Sequence, residues 1–288
     1  MPIPLPDPAM ADIQVIKANG DVEPFSWEKL YNSLMRAHVS PQTCKQVGQH
    51  LSQTLPSTCT TADIRQAVEK YLNKKDRYSA SRYTLKQAIM KLGPSGYPFE
   101  RYVAHILKEL GYKTKVSTIV QGKCTSHEVD VMAIKNRSTH MLECKYHNRR
   151  GIRSDVKVAM YVWARFQDIK EAWLTKLTNS IDFSQGWLVT NTKLTSDALE
   201  YCICRGLKVI SWGYPEDGNL HQLISQTRTY PITSLRSLDR HTLQELLQHD
   251  IVTCKQVAQL DLNQFPQLKR HKLIAAQQEA RLICAQSE

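Results

Sequence analysis

The stretch that most constrains this chain is a pair of alternating segments separated by a polar turn. In Val129, Val131 and Ala133, and again in Leu142, Cys144 and Tyr146, apolar side chains recur at every second position, the period of a half-buried strand. Lys135-Asn136-Arg137-Ser138 lies between them as the turn. Alternation then fixes the opposite faces: Asp130 shares one with Glu128 and Met132, and Glu143 points with Lys145 from the second strand. A hairpin built this way brings the carboxylates of Asp130 and Glu143 near the Lys145 ammonium.

Carboxylates gathered in a partly desolvated site repel unless a cation compensates them. Mg2+ or Mn2+ would do so, because such hard ions take carboxylate oxygens and keep places for water and phosphate. An ion there would lower the pKa of a bound water and stabilise charge on a scissile phosphate, with Lys145 orienting the water or neutralising the developing charge. The expected chemistry is phosphodiester hydrolysis. An exposed, salt-bridged hairpin edge is the alternative reading of the same residues.

Three features occur in order: Gly96-Tyr97-Pro98-Phe99-Glu100 opening a helix, Asp130 in a hydrophobic strand, and Glu143-Cys144-Lys145 in the next. Together they resemble the PD-(D/E)XK nuclease superfamily, and within it the Mrr-like restriction endonucleases; His127-Glu128 stands where a proline often precedes the acidic residue. The resemblance implies Asp130 and Glu143 as metal ligands, Lys145 as the catalytic lysine and Glu100 as the acidic residue of the first helix. It implies a Mg2+- or Mn2+-dependent endodeoxyribonuclease. For Glu100, a surface position favoured by the helix dipole is the competing reading.

The net charge of +11 and a pI near 9.2 favour a polyanionic partner. Charge alone does not separate DNA, RNA and an acidic membrane, but position helps: Arg149, Arg150, Arg153 and Lys157 follow directly on Lys145, where they would grip phosphates flanking the one being cut. A solvated basic loop is the plain alternative. No apolar run approaches the ~20 residues of a membrane span, and residues 1–12 lack a secretory signal's pattern and read as a flexible leader. The eight cysteines are scattered, and Cys202 and Cys204 have neither zinc nor redox spacing, so a reducing cytoplasm fits best.

Upstream, Ile13 to Lys17 and Val22 to Phe25 flank Ala18-Asn19-Gly20-Asp21, a strong hairpin signal. Helices are expected from Ser26 to about His38, from Ser40-Pro41, from the Thr60 to Asp63 capping-box match, and from about Ser79 to Gly93-Pro94. The region resembles the ATP-cone, a nucleotide-sensing domain, through Val15-Ile16-Lys17 before Gly20, Glu23 and Phe25 after it, Lys29, and the Tyr83 to Leu92 helix. That likeness implies ATP or dATP as a regulatory ligand, with Lys17 and Lys29 facing the triphosphate, Gly20 in the turn, Glu23 at base or sugar and Thr60 near the base. Ala18 stands where an Arg is frequent.

The expected organisation is α/β (α+β): the leader 1–12, a hairpin-plus-helices ATP-cone over 13–93, a mixed-sheet restriction-endonuclease-like core over 97–228, and a helical domain over 232–288. In the last, Asp239 and Asp261 are caps or turn residues; Asp250-Ile251 stands where DNA-binding helical hairpins carry glycines, and Lys269-Arg270-His271-Lys272 is its basic cluster. Cutting both strands of DNA needs two active sites, so a homodimer or larger assembly is expected. No G-x-x-x-x-G-K-[ST] occurs, so any ATP effect is regulatory rather than motor-driven. The commitment is a nucleotide-regulated DNA endonuclease in restriction or defence. Its alternatives are a structure-specific repair nuclease or junction resolvase, and a non-catalytic nucleotide-responsive DNA-binding regulator.

Overall fold

The computed structural model describes residues 12–17, 20–37, 39–149, 151–174 and 182–285. The chain folds as two compact units, the first running through Lys86 and the second from Gln87 to Cys284. The leader up to residue 11, Asn19 of the expected turn and the proposed phosphate contact Arg150 lie outside the described residues.

In the first unit β1 (Gln14–Ile16) and β2 (Val22–Pro24) pair antiparallel. Gly20, with φ of +89°, occupies a left-handed position that a side chain would strain. Ser26 accepts the Lys29 N–H at 3.3 Å and starts α1 (Trp27–Arg36), while Ser40 and Pro41 start α2 (Pro41–Thr54). The sequence reading missed β3 (Thr58–Thr60), which lies parallel to β1 and completes the order β2-β1-β3. Thr60 and Asp63 form the expected capping box of α3 (Thr61–Lys75).

The single helix expected from Ser79 is instead α4 (Arg77–Tyr83) followed by α5 (Leu85–Ile89). Asp76 accepts the Tyr78 and Ser79 amides, which moves the start upstream, and the Thr84 hydroxyl donates to the Ala80 and Ser81 carbonyls where α4 ends. Trp27, Leu34, Val47, Leu51, Val68 and Leu72 form the unit's core.

The second unit is built on a five-stranded mixed sheet, ordered β10-β8-β6-β5-β4. The antiparallel part is β4 (Lys113–Gln121), β5 (Ser126–Lys135) and β6 (Ser138–Lys145). Asn136 and Arg137, both with positive φ, make the two-residue turn between β5 and β6. A short β7 (Arg153–Ser154) and then α7 (Val156–Leu174) lead to β8 (Asp182–Thr190), parallel to β6. Next come β9 (Lys193–Leu194), paired with β7, α8 (Ser196–Cys204), and β10 (Lys208–Ile210), parallel to β8. Parallel neighbours need such helical crossovers.

Met132, Met141, Phe183 and Leu188 pack with Ala159, Val162, Phe166 and Ile169 of α7. Val131, Ala133 and Leu142 alternate with these and are also fully buried, while α6 (Tyr97–Glu109) lies against β4, β5 and β6. Phe99 and Tyr102 of α6 are fully buried, as its apolar stripe requires. One expectation fails at Val129, which belongs with Met132 and Met141 instead of sharing a face with Val131 and Ala133. The alternation slips at Asp130, opposite Ser117, whose φ is +49°.

The remaining chain is helical: α9 (Leu220–Thr227), α10 (Arg240–Gln248), α11 (Cys254–Ala258) and α12 (Arg270–Cys284). Asp239 accepts the Thr242 amide and caps α10, and Asp261 accepts the Asn263 amide. Asp250 adopts a φ of +62°, the left-handed conformation that glycine would take there. Within the basic cluster, Lys272 is paired to Asp239 at 2.5 Å. Among the described residues no helix is long and apolar enough to cross a membrane.

Gly186 of β8 lies directly beneath α7. A methyl there would meet Leu207 Cδ2 at 2.9 Å and Phe166 Cγ at 3.0 Å. Gly186→Ala is therefore expected to destabilise the second unit by about 1–3 kcal/mol. Urea unfolding followed by near-ultraviolet circular dichroism measures this, and an unchanged midpoint would refute the close packing.

Candidate functional site

The β5–β6 ladder ends at the pair Val131 and Leu142. One residue further, the Asp130 carboxylate replaces a backbone acceptor and takes the Cys144 N–H at 2.7 Å. The strands open there, and Asp130 and Glu143 lie at the opening. Glu143 is buried, 4% exposed, although a carboxylate so placed needs compensation. Lys145 supplies part of it, with Nζ 2.8 Å from Oε1, and the Arg165 guanidinium binds Oε2. Arg165 also donates to the Glu128 carbonyl, tying α7 to the backbone of β5.

Charge and burial set the proton affinities. Burial, reinforced by the Glu143 charge, pushes Asp130 from 3.8 up to about 6, against the hydrogen bond from Cys144. Glu100 in the first turn of α6 is pushed from 4.5 up to about 7, by burial first and then by the charges of Asp130, Glu128 and Glu143. Burial alone would lower Lys145, but its hydrogen bond to Glu143 and the charges of Glu143 and Asp130 outweigh that and raise it. The fold thus brings Glu100, Asp130, Glu143 and Lys145 into one electrostatic group.

Arg165 is the member that the sequence reading missed. Its signal was present: Val162, Arg165, Phe166 and Ile169 follow helical spacing, which puts one cation on the buried face of α7. Behind Lys145, Asn191 accepts the His147 N–H and donates to the His147 carbonyl, at 2.9 and 2.8 Å, while the His147 ring reaches Ser154 at 3.1 Å. This clasp fixes the end of β6. Arg149, Arg153 and Lys157 are exposed on the segment leading from β6 into α7.

Among the described residues no group of three or more His, Cys, Asp and Glu side chains is set to hold a metal ion. Asp130 and Glu143 offer two carboxylates, the number that Mg2+ commonly takes from a protein while keeping its waters. The proton affinities of Asp130 and Glu100 are raised by burial first and by neighbouring carboxylate charge second, and a divalent ion would relieve the charge part. The residues fit a water-rich ion bound by two carboxylates, not a closed protein cage.

In the first unit Lys17 and Lys29 converge on Glu23, at 2.6 and 3.1 Å. Those contacts hold the Glu23 carboxyl below its ordinary range. Thr60 lies opposite Ile16 in the sheet, and its hydroxyl donates to Asp63 at 2.7 Å, so it is engaged in the cap. Gly20 stands in the turn between Lys17 and Glu23.

Folded Glu100 and Asp130 hold protons to higher pH than the unfolded chain does, so they oppose folding increasingly as pH rises from about 4 to about 7. Glu100→Gln is expected to raise the urea midpoint of the second unit near pH 8, with the gain vanishing towards pH ~4.5. A gain independent of pH would contradict the electrostatic grouping.

Comparison with known proteins places the chain in a family. Residues 13–91 match the ATP cone domain, and residues 230–284 match the family described as AF1548-like, C-terminal. An uncharacterized protein of Archaeoglobus fulgidus is 38% identical over 155 residues, spanning 54% of this chain and 83% of its own length. The crystal structure of AF1548, a protein of unknown function, superposes with a TM-score of 0.56 at 34% identity, covering 66% of this chain and 98% of that one. The MspJI restriction endonuclease bound to a 27-mer oligonucleotide gives a TM-score of 0.34 at 15% identity, covering 60% of this chain and 36% of that one. At that score the last likeness carries no weight. The first unit thus carries an ATP cone domain, and by identity and coverage the chain belongs to the AF1548-like family of the Archaeoglobus fulgidus protein.

Proposed function

We propose that the second unit is a metal-dependent nuclease cutting DNA phosphodiester bonds, controlled by a nucleotide on the ATP cone. The observation that carries this reading is the group at the opened end of β5 and β6: Asp130 and Glu143 beside Lys145, with Glu100 pushed up to about 7 by burial and then by the charges of Asp130, Glu128 and Glu143. Asp130 and Glu143 would hold Mg2+ or Mn2+, which supplies an acidified water and charge compensation at the scissile phosphate. Lys145 remains an ammonium and sits where it can donate to a phosphate oxygen or orient the attacking water. Arg165 holds the Glu143 carboxylate in place, and Glu100, pushed up to about 7, can carry a proton near neutrality. Arg149, Arg153 and Lys157 would grip neighbouring phosphates.

Incubation of plasmid, linear and branched DNA with Mg2+ or Mn2+ is expected to yield cleavage, reduced at least ~100-fold in Asp130→Ala and Lys145→Ala. In parallel, Mn2+ should raise the melting temperature of the wild type and leave Asp130→Ala unchanged. Cleavage of no DNA form, with no metal-dependent shift, would leave a DNA-binding regulator as the reading.

On the ATP cone, Lys17, Lys29 and the Gly20 turn would take a triphosphate, with Glu23 at base or sugar and Thr60 near the base. ATP or dATP at ~100 times its dissociation constant should stabilise the first unit by about 2.7 kcal/mol. Lys17→Ala and Lys29→Ala should each shrink that shift. Equal melting with and without nucleotide would remove the regulatory part of the proposal.

A further inference from the structure

The exposed face of α7 carries an aromatic residue that the nuclease chemistry does not use. Tyr161 is 53% exposed and Met160 beside it 50%. The Tyr161 ring is also held. The Arg165 guanidinium lies 5.1 Å from its centroid and the Lys145 ammonium 6.0 Å, and both cations are bound to Glu143. Arg165 is itself buried, so the ring rests on a fixed cationic support while half of its residue's surface faces solvent. One turn earlier on the same helix face, Lys157 is an exposed cation.

We propose that Tyr161 is a stacking platform for an unpaired nucleobase, and that the substrate of this site is nucleic acid with single-stranded character next to the cleaved phosphate. The proposal rests on the nuclease reading for the word substrate, but not for the binding site. In an intact duplex the base faces are covered by neighbouring pairs, and a side chain at the phosphate backbone cannot reach them. An unpaired nucleotide offers its π-face freely, and stacking on an aromatic ring is tolerant of base identity. Cations around the ring answer the phosphates on either side. The occupant that fits a fixed aromatic face bordered by Lys145 and Lys157 is therefore a base with its own backbone. A duplex end without unpaired nucleotides offers only a terminal pair.

The test is fluorescence anisotropy with the full chain in Ca2+, using a labelled dT20 strand, the same length of abasic strand, and a blunt duplex. Tyr161→Ala should weaken dT20 binding by about 5- to 100-fold, while Tyr161→Phe stays within about twofold. Binding of the abasic strand and of the duplex should be the same in all three proteins. A loss of equal size on every probe, or no loss on dT20, overturns the platform. Melting curves and far-ultraviolet circular dichroism of Tyr161→Ala, matched to wild type, establish that the loss is not one of folding. The assay reads binding alone, so an absence of cleavage in any protein would count against the nuclease reading and leave this one standing.

Discussion

The buried carboxylate of Glu143 is the constraint on which the second unit turns. A carboxyl group at 4% exposure requires partners within hydrogen-bond reach, and the chain meets that demand from two elements: Lys145 on the same strand and Arg165 on α7. Arg165 then holds the Glu128 carbonyl, Asp130 takes the Cys144 amide, and the β5–β6 ladder stops where the carboxylates begin. The register that pairs Val131 with Leu142 would, if continued, set Asp130 directly opposite Glu143; the ladder stops instead, and the Asp130 carboxylate takes the Cys144 amide.

Much of this was legible in the sequence, because strands and helices announce themselves through period and caps. The turn at Asn136 and Arg137, the Thr60 capping box and the helix start at Ser26 follow from local chemistry that no tertiary contact overrides. The α/β architecture with its mixed sheet and terminal helices followed from the order of those signals. What escaped was set by distant partners. β3 is three residues long and exists through pairing with β1, and the division at Thr84 depends on one hydroxyl reaching back to two carbonyls.

The site divides in the same way. Alternation alone places Glu143 with Lys145, and the sheet keeps them at 2.8 Å. Alternation misplaces Val129, which packs with Met132 and Met141 across an interruption of the ladder at Asp130. Arg165 was readable as a lone cation on a buried helical stripe, but its partner was not, since 22 residues and a strand-to-helix crossover lie between it and Glu143.

The missing side chain at Gly186 has a meaning beyond packing. It sets the height at which α7 rides over the sheet, since Phe166 rests where a methyl would otherwise stand. The residue before Phe166 is Arg165, so that height also sets how far the guanidinium extends towards Glu143. The interior of the sheet thereby acts as a spacer for an ion pair at its end, and hydrophobic thickness in the core is translated into electrostatic alignment at the rim.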